Sequence, residues 1–136
     1  MEATQGERRW AMLAHVLTLL GLVIPLADLL VPAVLGWSKR GSEYVRFHAR
    51  SSLRFQVSCL ILELAGLACL GACHLAIESQ IDGPRFGLML LALAGVSLVA
   101  LGLVWTVTVT CLALYAGAQA LAGIRYRYPL TLKFLG

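Results

Sequence analysis

Charge is what this sequence lacks. Between Phe86 and Ile124 it has no acidic or basic side chain. From Trp10 to Trp37 the one charged residue is Asp28, with His15 the only other titratable group. From Leu53 to Ile77 the only charged residues and histidines are Arg54, Glu63 and His74. Charged residues make up 13% of the chain and hydrophobic residues 60%, against about 25% charged in a soluble domain. A soluble core helix is rarely apolar on every face for so long, whereas about 20 apolar residues span a hydrocarbon core. These runs exclude an ordinary soluble domain. They predict an all-α integral membrane protein of three to four helical segments, forming a single membrane domain over residues 1–136.

Signatures of chemistry are missing as well. There is no nucleophile elbow, P-loop or glycine-rich dinucleotide fingerprint, so no enzyme is expected. No His-x₃-His or Cys-x₂-Cys spacing offers a metal site, and neither metal nor cofactor is expected. Cys59, Cys69, Cys73 and Cys111 all fall within apolar runs. Disulfide frameworks belong to small secreted domains, so these four are expected to be reduced packing residues. Small side chains four apart on one face suit close helix contacts, as Cys69 with Cys73 and Ala113 with Gly117 do. The net charge of +4 comes from residues flanking the apolar runs. It makes no nucleic-acid footprint.

What charge there is lies on one side. Ten of the eleven Lys and Arg residues fall in three places: the N-terminal tail (Arg8, Arg9), the first connection (Lys39, Arg40, Arg46, Arg50, Arg54) and the C-terminus (Arg125, Arg127, Lys133). The positive-inside rule places all three in the cytoplasm and the short 78–85 turn, with Asp82-Gly83-Pro84, outside. The apolar segments run over about 10–37, 51–77 and 86–124, with a basic connection at 38–50. A single crossing by 10–37 would put the tail and the first connection on opposite sides. Pro25 and Pro32 each remove a backbone hydrogen bond, with Asp28 between them, and predict a first segment broken at both. It is either a re-entrant hairpin or one kinked span with Arg8 and Arg9 outside. Arg8, Arg9 and the apolar Met12–Ile24 also have the layout of a signal peptide, but no convincing small-residue cleavage site follows. The last segment, 39 residues, is about 58 Å long as one helix. It reads as a long tilted helix that extends past the bilayer.

Two constellations are candidate sites. His15, Asp28 and Glu63, with Gln56, are polar groups inside apolar runs. Such groups are costly in lipid and face the bundle interior. They make either a polar track for an ion, proton or peptide, or a set of interhelical hydrogen bonds that also uses Thr106 or Thr110. Arg46, Arg50 and Arg54 recur at i, i+4 and i+8 on one face of the amphipathic stretch 42–55. That face suits anionic lipid headgroups or an acidic partner, or serves as plain anchoring by snorkelling side chains.

Several motifs resemble one family. They are Glu7-Arg8-Arg9-Trp10-Ala11-Met12-Leu13-Ala14-His15, then Gly21, Pro25, Pro32 and Trp37, then Val45-Arg46-Phe47-His48-Ala49-Arg50, Phe55-Gln56 and the ending Tyr126-Arg127-Tyr128-Pro129-Leu130-Thr131. Together they resemble the bacterial Tic-twenty-like domain family, membrane domains of unknown function related to a chloroplast inner-envelope translocon subunit. The resemblance covers about residues 7–135 and departs through extra length around His74–Leu93. It implies a helical membrane domain of three or four spans; with the charge rule, the expectation is a bacterial inner-membrane protein whose first connection and C-terminus are cytoplasmic. The bacterial members bring no settled function, so the functional expectation is a non-enzymatic helical module or subunit of a membrane assembly, in protein or solute transport, with anionic membrane lipids and other subunits as partners. The alternative is a small homo-oligomeric ion or solute channel. The resemblance implies no catalytic residues.

Overall fold

Helix α1 (Gln5–Val16) opens on a capping box. The computed structural model describes residues 3–79, 84–129 and 131, apart from the side chains of Glu78, Pro84, Arg85 and Phe86. Thr4 Oγ1 accepts the Glu7 N–H at 3.3 Å, and the Glu7 carboxylate accepts the Thr4 N–H at 2.8 Å. Two donors that a helix start leaves open are thereby satisfied. The coil then tightens into a 3₁₀ stretch, Leu17–Leu22, and turns over residues 23–26. Pro25 lies in this turn. Leu26 takes a left-handed φ of 67°, which costs a non-glycine residue about 1 kcal/mol or more.

Helix α2 (Ala27–Ser38) packs back against the 3₁₀ stretch and α1. The return is tight: a Cβ on Gly21 would stand 2.7 Å from Asp28 Cβ. The first apolar run is thus a helical hairpin. Pro25 breaks it as expected, but Pro32 does not: it lies inside α2, fully buried. Proline's fixed φ is itself helical, and close packing holds the helix through the missing bond. Asp28 sits in the first turn of α2, where the partial positive charge of a helix start favours a carboxylate.

Two long helices complete the chain, α3 (Glu43–Glu78) and α4 (Pro84–Leu121). At 1.5 Å per residue they are about 54 and 57 Å long. Because α3 starts at Glu43, the first connection shrinks to a turn at 39–42, and Arg46, Arg50 and Arg54 stand on the opening turns of the helix. The expected outer turn at 78–85 lies for the most part outside the described residues, as does Lys133. Among the described residues all regular structure is helical.

The chain divides into two compact units. The first holds residues up to Leu60 and from Val109 onward. Its core is built from small residues, Ala11, Ala14, Ala49, Ala113, Ala116 and Ala120, all at most 1% exposed. They let helix backbones approach closely. A Cβ on Gly117 would lie 2.9 Å from Val16 Cγ2, so the expected Ala113–Gly117 contact surface is present here. The second unit, Ile61–Thr108, holds the C-terminal part of α3 and the N-terminal part of α4. Leu64, Leu67, Leu75, Leu101 and Val104 are exposed on it. Two stretches, Glu43–Ile77 and Gly87–Leu121, are each long enough to cross a membrane and contain an 18-residue window of mean hydropathy 2.0 and 2.5 respectively. None of the four cysteines forms a disulfide. Cys59 is buried, as a packing residue should be, whereas Cys69, Cys73 and Cys111 face outward.

Candidate functional site

The core of the first unit is filled by rings. His15, in the last turn of α1, and His48, on α3, are each 0% exposed. His15 Nε2 lies 2.9 Å from His48 Nδ1, and Tyr128 Oη lies 2.9 Å from His15 Nδ1. Tyr128 is supplied by the C-terminal segment after α4, which lies along α3. Its ring stacks on Phe55 at 3.9 Å, and Ser51 Oγ donates to the Tyr126 carbonyl at 3.4 Å. The Tyr44 hydroxyl donates to the Ala120 carbonyl at 2.7 Å. Desolvation, reinforced by His48, pushes His15 down to about 3, so this imidazole is neutral near pH 7. Burial pushes the Tyr128 phenol up, and Tyr126 adds to the shift. Among the described residues His48 Nε2 has no partner.

The predicted polar residues are distributed as follows. His15 and Gln56 are buried in the first unit. Asp28 is half-buried at the hairpin and does not pair with His15, whose two nitrogens are taken by His48 and Tyr128. Glu63 belongs to the second unit, where its carboxylate accepts the Trp105 indole N–H at 2.6 Å. Thr106 is exposed. The sequence reading overlooked His48 and Tyr128 as site residues, although one signal was available. Tyr44, His48 and Ser52 repeat with the same four-residue step as Arg46, Arg50 and Arg54, two residues out of phase. At 3.6 residues per turn, that puts the two rows on opposite faces of α3.

The arginine row lines an open groove of about 710 Å³, together with Phe47, Ser51 and Arg127. Glu43, at its edge, pairs with Arg125 at 2.9 Å. The Arg125 and Arg127 guanidiniums stand 5.5 and 5.7 Å from the centre of the Phe47 ring. Arg46 and Arg50 also line a second groove of about 440 Å³, with Trp37 and Arg40.

The three basic segments meet at one end of this unit. Ser42 Oγ donates to Glu7 Oε1 at 2.6 Å, and Lys39 Nζ sits 4.2 Å from the centre of the Trp10 ring. The Ser42 bond, then those from Thr4, hold the Glu7 carboxyl below its ordinary value. The C-terminal segment joins them through the Arg125–Glu43 pair. The hairpin thus brings the N-terminal tail and the start of α3 to the same end of the unit.

Comparison with known proteins corrects one expectation. The profile of the magnetosome magnetite crystal formation protein family (MamF/MmsF) matches residues 6–135. This match overturns the resemblance to Tic-twenty-like proteins, and the protein-transport reading that rested on it has no support. No curated protein and no solved structure matches the chain.

Proposed function

The chain belongs to the magnetosome magnetite crystal formation family, and on that premise we propose that it is a non-enzymatic helical module of the magnetosome membrane that acts in magnetite crystal formation. The observation that carries the membrane part is the surface of the second unit. Its leucines and valines are exposed along both helices. Water does not tolerate so large an apolar surface, and hydrocarbon does. The non-enzymatic part is supported by the burial of His15 and His48, both 0% exposed, which keeps their imidazoles away from solvent. The basic end of the first unit lies on the cytosolic side, following the positive-inside rule.

Deleting the chain from a magnetite-forming cell should change crystal size or shape in electron micrographs, and the wild-type chain should restore it. Unchanged crystals, or recovery of the chain in the soluble fraction, would overturn the reading. A second reading, a small homo-oligomeric ion or solute channel, has one observation in its favour. Glu63 is exposed within an apolar stretch, and a carboxylate facing lipid costs at least about 2.5 kcal/mol, a cost that burial in an oligomer removes. Conductance across a planar bilayer, abolished by Glu63→Gln, would select it.

A further inference from the structure

Four arginines, Arg46, Arg50, Arg54 and Arg127, line one groove. Its only lining carboxylate among the described residues, Glu43, is already bonded to Arg125 at 2.9 Å. The groove therefore carries an uncompensated positive charge. We propose that it binds the phosphate of an anionic phospholipid headgroup. This rests on the membrane reading above and names the ligand of that surface.

Three features separate the groove from a row of snorkelling anchors. The first is convergence. Three arginines come from one rigid helix face with steps of about 5–6 Å. The fourth comes from a segment more than 70 residues later, fixed in place by the Tyr128 stack on Phe55 at 3.9 Å and the Tyr128–His15 bond at 2.9 Å. Anchoring by snorkelling needs no such fourth member. Guanidinium forks match phosphate oxygens two at a time, so a convergent set binds a phosphate ester far better than scattered charges do. The second is size. At about 710 Å³ the groove falls within the roughly 300–1,000 Å³ of small-molecule sites, so a headgroup with its glycerol fits. The third is position. Arg54 is the last basic residue before the long apolar stretch of α3, so a phosphate held here leaves its acyl chains level with that stretch.

Phosphate could also come from a free ion, and the test separates the two sources. The full chain is purified in neutral detergent. It is titrated with phosphatidylglycerol, phosphatidylcholine or inorganic phosphate, and thermal unfolding is followed by circular dichroism. Phosphatidylglycerol should raise the midpoint saturably, whereas phosphatidylcholine and inorganic phosphate should not. Arg50→Gln and Arg127→Gln should each weaken the apparent affinity about tenfold, the loss expected for a hydrogen bond to a charged group. Both residues are exposed, so both variants fold. Arg9→Gln, which removes an exposed charge outside the groove, should change the affinity less than about twofold.

Wild-type affinity in Arg127→Gln, or an equal loss in Arg9→Gln, would reduce the site to diffuse charge and overturn the proposal. Inorganic phosphate acting as well as phosphatidylglycerol would overturn the lipid assignment in favour of a free phosphate site. The micelle assay requires no bilayer crossing, so its failure is distinguishable from failure of the membrane reading.

Discussion

His15 owes its neutrality to its surroundings: no water reaches the ring, and a second imidazole stands against it. Unfolded, it takes up a proton below about pH 6.5; folded, it does not until about pH 3. Between those values the unfolded state binds more protons, so stability falls as pH drops through the window. The slope from this group is at most about 1.4 kcal/mol per pH unit. Unfolding midpoints should therefore fall between about pH 6.5 and about pH 4.5, and His15→Gln should flatten that part of the profile. A wild-type midpoint that stays level there would contradict the buried placement. His15 stood out in the sequence as a rare titratable group in an apolar run. Its partners did not, because they lie 33 and 113 residues away, and no local pattern reports a contact across such distances.

At the scale of elements, apolar run length was enough to read α3 and α4, because a charge-free stretch has no stop signal until it ends. The α3 start was legible in part: the apolar run begins only near residue 51, but the amphipathic stretch 42–55 reads as the opening of the second span, and its face with Tyr44 and His48 is buried. The hairpin was readable at Pro25, where a missing donor coincides with a turn, and misread at Pro32, where tertiary packing overrides propensity. What closes the hairpin is a glycine. Gly21→Ala would push a methyl into Asp28 Cβ and toward its backbone nitrogen, at 2.7 and 3.3 Å, neither of which can swing aside. The expected cost is about 1–3 kcal/mol. Gly102→Ala, inside α4, meets nothing within 4 Å and should stabilise by about 0.5–1 kcal/mol. Equal unfolding midpoints for the two variants would show that the hairpin is looser than described.

For the molecule as a whole, the charge split was visible in the sequence, but the way three basic segments share one end was not. That arrangement depends on the hairpin and on the Ser42–Glu7 and Arg125–Glu43 contacts. In a chain whose native cysteines are replaced, single cysteines at Gly6 and Gly41, both with open space around them, should react with an impermeant thiol reagent from the same face of the membrane. One at Ser79 should react from the other. Labelling of Gly6→Cys and Gly41→Cys from opposite faces would show that the first run crosses once. The Tyr128–His15 contact also ties the fold to the order of synthesis. His15 leaves the ribosome 113 residues ahead of Tyr128, a wait on the order of ten seconds at ordinary elongation rates. Through that interval the first unit lacks the ring that completes its core. It closes only once residue 128 has been made, so the earliest part of the protein to appear is among the last to be finished.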